Sequence, residues 1–121
     1  MKEDIRKPAV KNVRIAVAHR TNELNRSEWS VYLLNMNEFS ISHVLVSSKG
    51  YGDKNGESEK TSVLRHYFEE IGPQSSVMIE LIQPEVFHLN NEYWVSYYHE
   101  GQIHDKKFIF LPDTIQEENL Q

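Results

Sequence analysis

Two histidines, His99 and His104, flank the short segment Glu100-Gly101-Gln102-Ile103, and they are the first place where chemistry could sit. If Gly101 and Gln102 are the central turn residues, the two imidazoles face each other across an antiparallel ladder, about 5 Å apart at Cβ. That is close enough to share a metal. If Glu100 and Gly101 are central instead, His104 falls opposite Tyr97 and the pair dissolves. In either register a hairpin tip supplies two ligands and lacks the third and fourth that metal sites require. No metal or cofactor is therefore expected, and His99 and His104 remain weak candidates.

Residues 48–59 form a second candidate, because Gly50, Gly52 and Gly56 precede Lys60-Thr61-Ser62 in a way that invites comparison with phosphate-binding loops. The spacing fails. Glu59 stands where a P-loop needs glycine immediately before its lysine, and an acid there repels phosphate. Gly50-Tyr51-Gly52 begins a G-x-G pattern but has no third glycine and no Rossmann unit after it. What remains is a small-ligand or enzymatic site under the Gly-rich loop, with Lys49, Gly50, Gly52, Lys54 and Arg65 as candidate contacts. His66, Glu69 and Glu70 have helical spacing, but on the expected helix they point to solvent. G-x-S-x-G is absent and no Ser-His-Asp order stands out, so no catalytic residue is assigned and the reading leans away from an enzyme.

The elements that would hold these residues follow from periodicity. Val13, Ile15 and Val17 alternate with Arg14, Ala16 and Ala18 as in a strand with one apolar face. Residues 29–34 and 41–46 repeat the signal, and together they predict a meander. Val63, Leu64, Tyr67, Phe68 and Ile71 recur at i, i+1, i+4, i+5 and i+8, which predicts a helix over residues 61–71 that ends at Gly72-Pro73. Strands are predicted over residues 77–82, 86–89, 93–99 and 108–111. The expected fold is α+β: a curved, mostly antiparallel sheet of about six strands in the order β-β-β-α-β-β-β, with one helix packed on one face.

Both faces of the last hairpins carry large apolar groups. Tyr93, Val95, Tyr97, Phe108 and Phe110 share one face, and Phe87, Leu89, Trp94, Tyr98, Ile109 and Leu111 share the other. A single helix covers one side only. The second face is thus a candidate interface through Phe87, Leu89, Trp94, Tyr98 and Ile109.

Length and composition set the frame. The chain has 121 residues, 39% hydrophobic and 26% charged, which fits one globular domain spanning 1–121 with an ordered core near 11–112 and polar ends at 1–8 and 113–121. The absence of cysteine excludes disulfides, thiolate nucleophiles and cysteine-ligated metals. No apolar run approaches the ~20 residues of a membrane span, so no membrane partner and a cytoplasmic location are expected. The net charge of −5 argues against general affinity for nucleic acid. Residues 1–26 do carry seven Lys or Arg against three acids, and weak nucleic-acid binding through this segment is a minor alternative.

Residues 43–51, 60–66, 89–93 and 106–108, which include His43-Val44-Leu45-Val46, Lys60-Thr61-Ser62-Val63 and Leu89-Asn90-Asn91-Glu92-Tyr93, resemble a family of short uncharacterised bacterial proteins. Some of its members bear the label of a phenylalanyl-tRNA synthetase subunit, which implies amino-acid activation. The residues speak against that activity. The chain is far shorter than a class II synthetase core, and Gly50-Tyr51-Gly52 is followed by Asp53, Lys54 and Asn55 with no phosphate-contacting arginine. The expected function is a small non-catalytic binding or assembly domain that uses its second apolar sheet face, with a homo-oligomer or another protein as partner. The ligand site under the glycines is the alternative.

Overall fold

The alternation at Val13, Ile15 and Val17 continues into the first strand of the computed structural model, which describes residues 10–54 and 56–115, with only the backbone of Lys54. β1 (Val13–Thr21) pairs antiparallel with β2 (Ser27–Asn35), and β2 pairs on its other edge with β6 (Ser75–Leu81), giving a three-stranded sheet. The second sheet is built on the long β3 (Ile41–Lys54). One flank of β3 is covered by β4 (Glu57–Lys60) and then β5 (Leu64–Ile71); the other pairs with β7 (Asn90–His99), which pairs with β8 (Gln102–Phe110). Every pairing is antiparallel. One short 3₁₀ turn, Pro84–Val86, links β6 to β7.

The two sheets bury a common core. Val13, Val17, Val31, Leu33 and Ile79 of the first sheet belong to one cluster with Ile41, Val44, Val46, Ile71, Tyr93, Val95 and Tyr97 of the second. Each sheet therefore covers the other, as in two-layer β architectures. Past β8 the chain stays docked: Asp113 N–H donates to the Phe87 carbonyl at 2.7 Å, and Ile115 is buried in the core. Among the described residues no helix is long and apolar enough to cross a membrane.

The expected α+β fold with a helix on one face is thus corrected: the fold is nearly all β, and residues 64–71 are a strand. Its partner explains why. From Ile41↔Ile71 to Ser48↔Leu64 the segment forms a ladder with β3, and it is rich in residues that suit a pleated surface. The helical stripe put Val63, Leu64 and Tyr67 inside, yet all three are exposed, while His66 and Phe68 turn inward. The Gly-rich stretch is also regular: β3 runs through Gly50 and Gly52 and returns as β4 after a turn at Gly56, whose φ of 82° suits glycine. Residues 86–89, expected as a strand, lie in the 3₁₀ turn and the bends after it.

A buried amide pins the corner where the chain changes sheets. Asn35 is fully buried at the end of β2, and its Nδ2 donates to the carbonyls of Phe39, Ile71 and Gly72 at 3.0, 3.2 and 2.9 Å. Its Oδ1 accepts from the backbone and side-chain N–H groups of Asn37. One side chain thus satisfies backbone groups on both sides of the crossover.

Candidate functional site

Two irregularities in the ladders open one end of the molecule. In β6, Glu80 pairs with Val31 and Met78 with Tyr32, so Ile79 is an extra residue: a β-bulge. Side chains alternate faces with a period of two, and one extra residue reverses the order after it. Ile79 is buried as alternation requires, but Glu80 then also turns inward, and Leu81 faces out. On the opposite sheet, Lys49 and Gly50 face the three unpaired residues 61–63 between β4 and β5. This gap in the ladder adjoins the bulge.

Three side chains from the second sheet converge on the inward carboxylate. Ser48 Oγ of β3 donates to Glu80 Oε1 at 3.0 Å, His66 Nε2 of β5 donates to the same oxygen at 2.7 Å, and the Tyr93 phenol of β7 donates to Oε2 at 3.0 Å. The Glu80 side chain is 13% exposed. Burial, and then the Glu80 charge, push the Tyr93 phenol far above the usual tyrosine range, so it stays a neutral donor. A carboxylate has about four acceptor positions, so three donors leave it room for one more.

Beside this cluster lies a cavity of about 220 Å³. Its polar side is Ser48, Gly50, Thr61 and Glu80; its apolar side is Leu64, Leu81, Ile82 and Val86. Gly50 is tied to Thr61 twice: its N–H donates to Thr61 Oγ1, and its carbonyl accepts from Thr61 N–H, both at 2.8 Å. A Cβ at residue 50 would stand 3.1 Å from Thr61 Cγ2 and 3.2 Å from Leu89 Cδ1, so a larger residue there would make both side chains give by a few tenths of an ångström.

The candidate ligand residues divide. Lys49 and Gly50 line the cavity. Lys49 is exposed at the rim and pairs with Glu92 at 3.8 Å. Gly52 borders a different and more open hollow of about 560 Å³ along β3 and β4. Arg65 is exposed and does not line the cavity, and the Lys54 side chain lies outside the described residues. His66, expected on the solvent face of a helix, instead reaches Glu80 from a strand, and nothing in the sequence spacing marks Ser48, Glu80, Asn91 and Tyr93 as a site. One signal was present: Glu80 is an acid inside the apolar run Val77-Met78-Ile79-Glu80-Leu81-Ile82.

The histidine pair takes its second register. Glu100 and Gly101 both have positive φ, 52° and 75°, as a two-residue primed turn requires, so Tyr97 pairs with His104 and His99 with Gln102. His104 stacks on Tyr97 with centroids 5.0 Å apart, and His99 stacks on Phe39 at 3.8 Å. Among the described residues no group of three or more metal-ligating side chains comes together.

The interface candidates divide as well. Leu89 is buried, and Phe87 packs edge-on against Trp29 at 5.2 Å, so neither is offered to a partner. Trp94, Tyr98 and Ile109 lie on the outer face of the second sheet and remain 38%, 43% and 44% exposed. Leu45, Tyr67 and Ile103 join them there. Charges are woven between: Lys107 stands over the Trp94 ring at 5.7 Å, and Glu92 lies 3.9 Å from Lys107. Of the basic N-terminal segment, residues 1–9 lie outside the described residues; Arg20 pairs with Glu28 at 3.1 Å.

Compared with known proteins, the chain matches no family model, no curated protein and no solved structure.

Proposed function

We propose that this protein is a small-molecule-binding domain whose site is the cavity between the sheets at Glu80. The carrying observation is the convergence of Ser48, His66 and Tyr93 on a carboxylate that a β-bulge has turned inward beside open space. A joint that only held the sheets together would need no charge, since well-packed apolar residues usually hold such a place as well or better. Bulges are over-represented beside functional sites because they re-aim side chains in this way. With no nucleophile freed by a base, the arrangement binds rather than reacts: Ser48 and His66 both address Glu80 and not each other. The cavity is below the ~300–1,000 Å³ of drug-sized sites, so the ligand is smaller than those. The cytoplasmic location expected from the sequence accords with a cysteine-free chain.

A fragment screen by amide chemical shifts tests this. Binders are expected to move the amides of Ser48, Gly50, Leu64 and Gln83, and Leu64→Trp, which places a large ring at the exposed mouth, is expected to abolish the shifts. Fragments that bind only elsewhere, or equally well to the Leu64→Trp protein, would refute the site.

A second reading rests on a separate observation, the uncovered outer face with Leu45, Tyr67, Trp94, Tyr98, Ile103 and Ile109. Apolar groups gathered on one face mark interaction surfaces, here for a second copy of the chain. Light scattering on a sizing column is the check: a dimer is expected, and Trp94→Asp should yield monomer of unchanged stability. A wild-type chain that runs as monomer at high concentration rules this reading out.

A further inference from the structure

If the cavity is a ligand site, the way its hydrogen bonds are directed indicates what the ligand must bring. The donors around Glu80 and Gly50 are turned onto protein acceptors, whereas the lining Ser62 and Gln83 are exposed. Ser48, His66 and Tyr93 donate to Glu80; the Thr61 hydroxyl donates to the Ser62 carbonyl at 3.0 Å; the Gly50 N–H donates to Thr61. Asn91 directs its Nδ2 to the carbonyls of Val86 and Leu89 at 3.0 and 3.1 Å. Those two bonds fix the orientation of its amide. Asn91 Oδ1 therefore sits beside Gly50, 3.4 Å from where a Cβ would stand, and accepts no bond among the described residues.

The acceptors are what is left. Glu80 retains one of its roughly four acceptor positions and its negative charge, and Asn91 Oδ1 adds a second acceptor. An anion such as phosphate or carboxylate would meet the Glu80 charge, and the basic groups nearby are already engaged: His66 bonds Glu80 itself, and Lys49 sits at the rim against Glu92. A bare metal ion would find one carboxylate and one amide oxygen, which is too few oxygen ligands for a hard cation. A protonated amine on a compact apolar body satisfies both sides: its N–H groups reach the acceptors, and its carbon skeleton lies against Leu64, Leu81, Ile82 and Val86. The chain's net charge of −5 favours cation approach as well.

We propose that the cavity takes a small organic ammonium, recognised through Glu80 and Asn91. This rests on the pocket reading above. The test titrates the full chain at neutral pH with three probes of one shape, cyclohexylammonium, cyclohexanol and cyclohexanecarboxylate, following the amides of Ser48, Gly50, Leu64 and Gln83. Cyclohexylammonium is expected to bind at least ~10-fold more tightly than the carboxylate, since like charges brought together in a partly buried site are strongly disfavoured. Glu80→Gln is expected to remove that preference. Alcohol or carboxylate binding at the same amides as tightly as the ammonium would overturn the ammonium assignment and leave the pocket intact. If no probe moves these amides, the pocket reading falls with it. Should Glu80→Gln not fold, the ranking of the three probes on the wild-type chain decides alone.

Discussion

Glu80→Ala made alone is expected to lower the unfolding free energy by about 2–4 kcal/mol, because it strands the buried hydroxyls of Ser48 and Tyr93 without an acceptor. His66 is more exposed, with 26% of its side chain accessible, and can turn to water. Replacing the acceptor and both hydroxyls together, as Glu80→Met with Ser48→Ala and Tyr93→Phe, is expected to restore most of the loss. Deleting both partners of a buried polar contact removes the desolvation penalty along with the bond. Urea unfolding of the single and triple variants measures both quantities, with an unchanged slope indicating that the midpoints report stability. A triple variant as unstable as Glu80→Ala would mean that the cluster is needed by the fold, and the argument that its charge serves a ligand would lose its ground.

The other large effect belongs to Asn35. Asn35→Ala is expected to cost about 3–5 kcal/mol, since it leaves the carbonyls of Phe39, Ile71 and Gly72 and the N–H groups of Asn37 without their partner at a buried corner. That is a large share of the about 5–15 kcal/mol that holds a domain of this kind folded. Asn35→Asp separates shape from hydrogen bonding. The carboxylate fits the same space but cannot donate to three carbonyls, so it should be no better than alanine. A loss below about 1 kcal/mol in either variant would show that water replaces the amide.

Much of the strand content was legible because period-two alternation does not depend on what lies across the sheet. Tyr93, Val95 and Tyr97 are inside and Trp94 and Tyr98 outside, as their alternation in the sequence implies. Residues 61–71 misled because the uncovered face also carries apolar groups. The hydrophobic stripe does not mark one buried side: Tyr67 lies on the uncovered face, Leu64 is exposed at the cavity, and pairing with β3 dictates the extended state of the segment. The glycines drew attention to the right region, but Gly50 serves close packing against Thr61 and not a phosphate. Glu80 was the missing residue. Its partners lie 13 to 32 positions away in sequence, on three strands of the other sheet, and no local spacing brings such a set together.

The bulge at Ile79 also implies something about counting. In an unbroken ladder Glu80 would face solvent and Leu81 would fill the space between the sheets. The difference between a dry interior and a charged recess is therefore one backbone unit, with every side chain on the strand unchanged. Removing Ile79 itself would straighten the strand and still leave Glu80 opposite Val31, so the recess depends jointly on the register of β6 against β2 and on an acid at that one position.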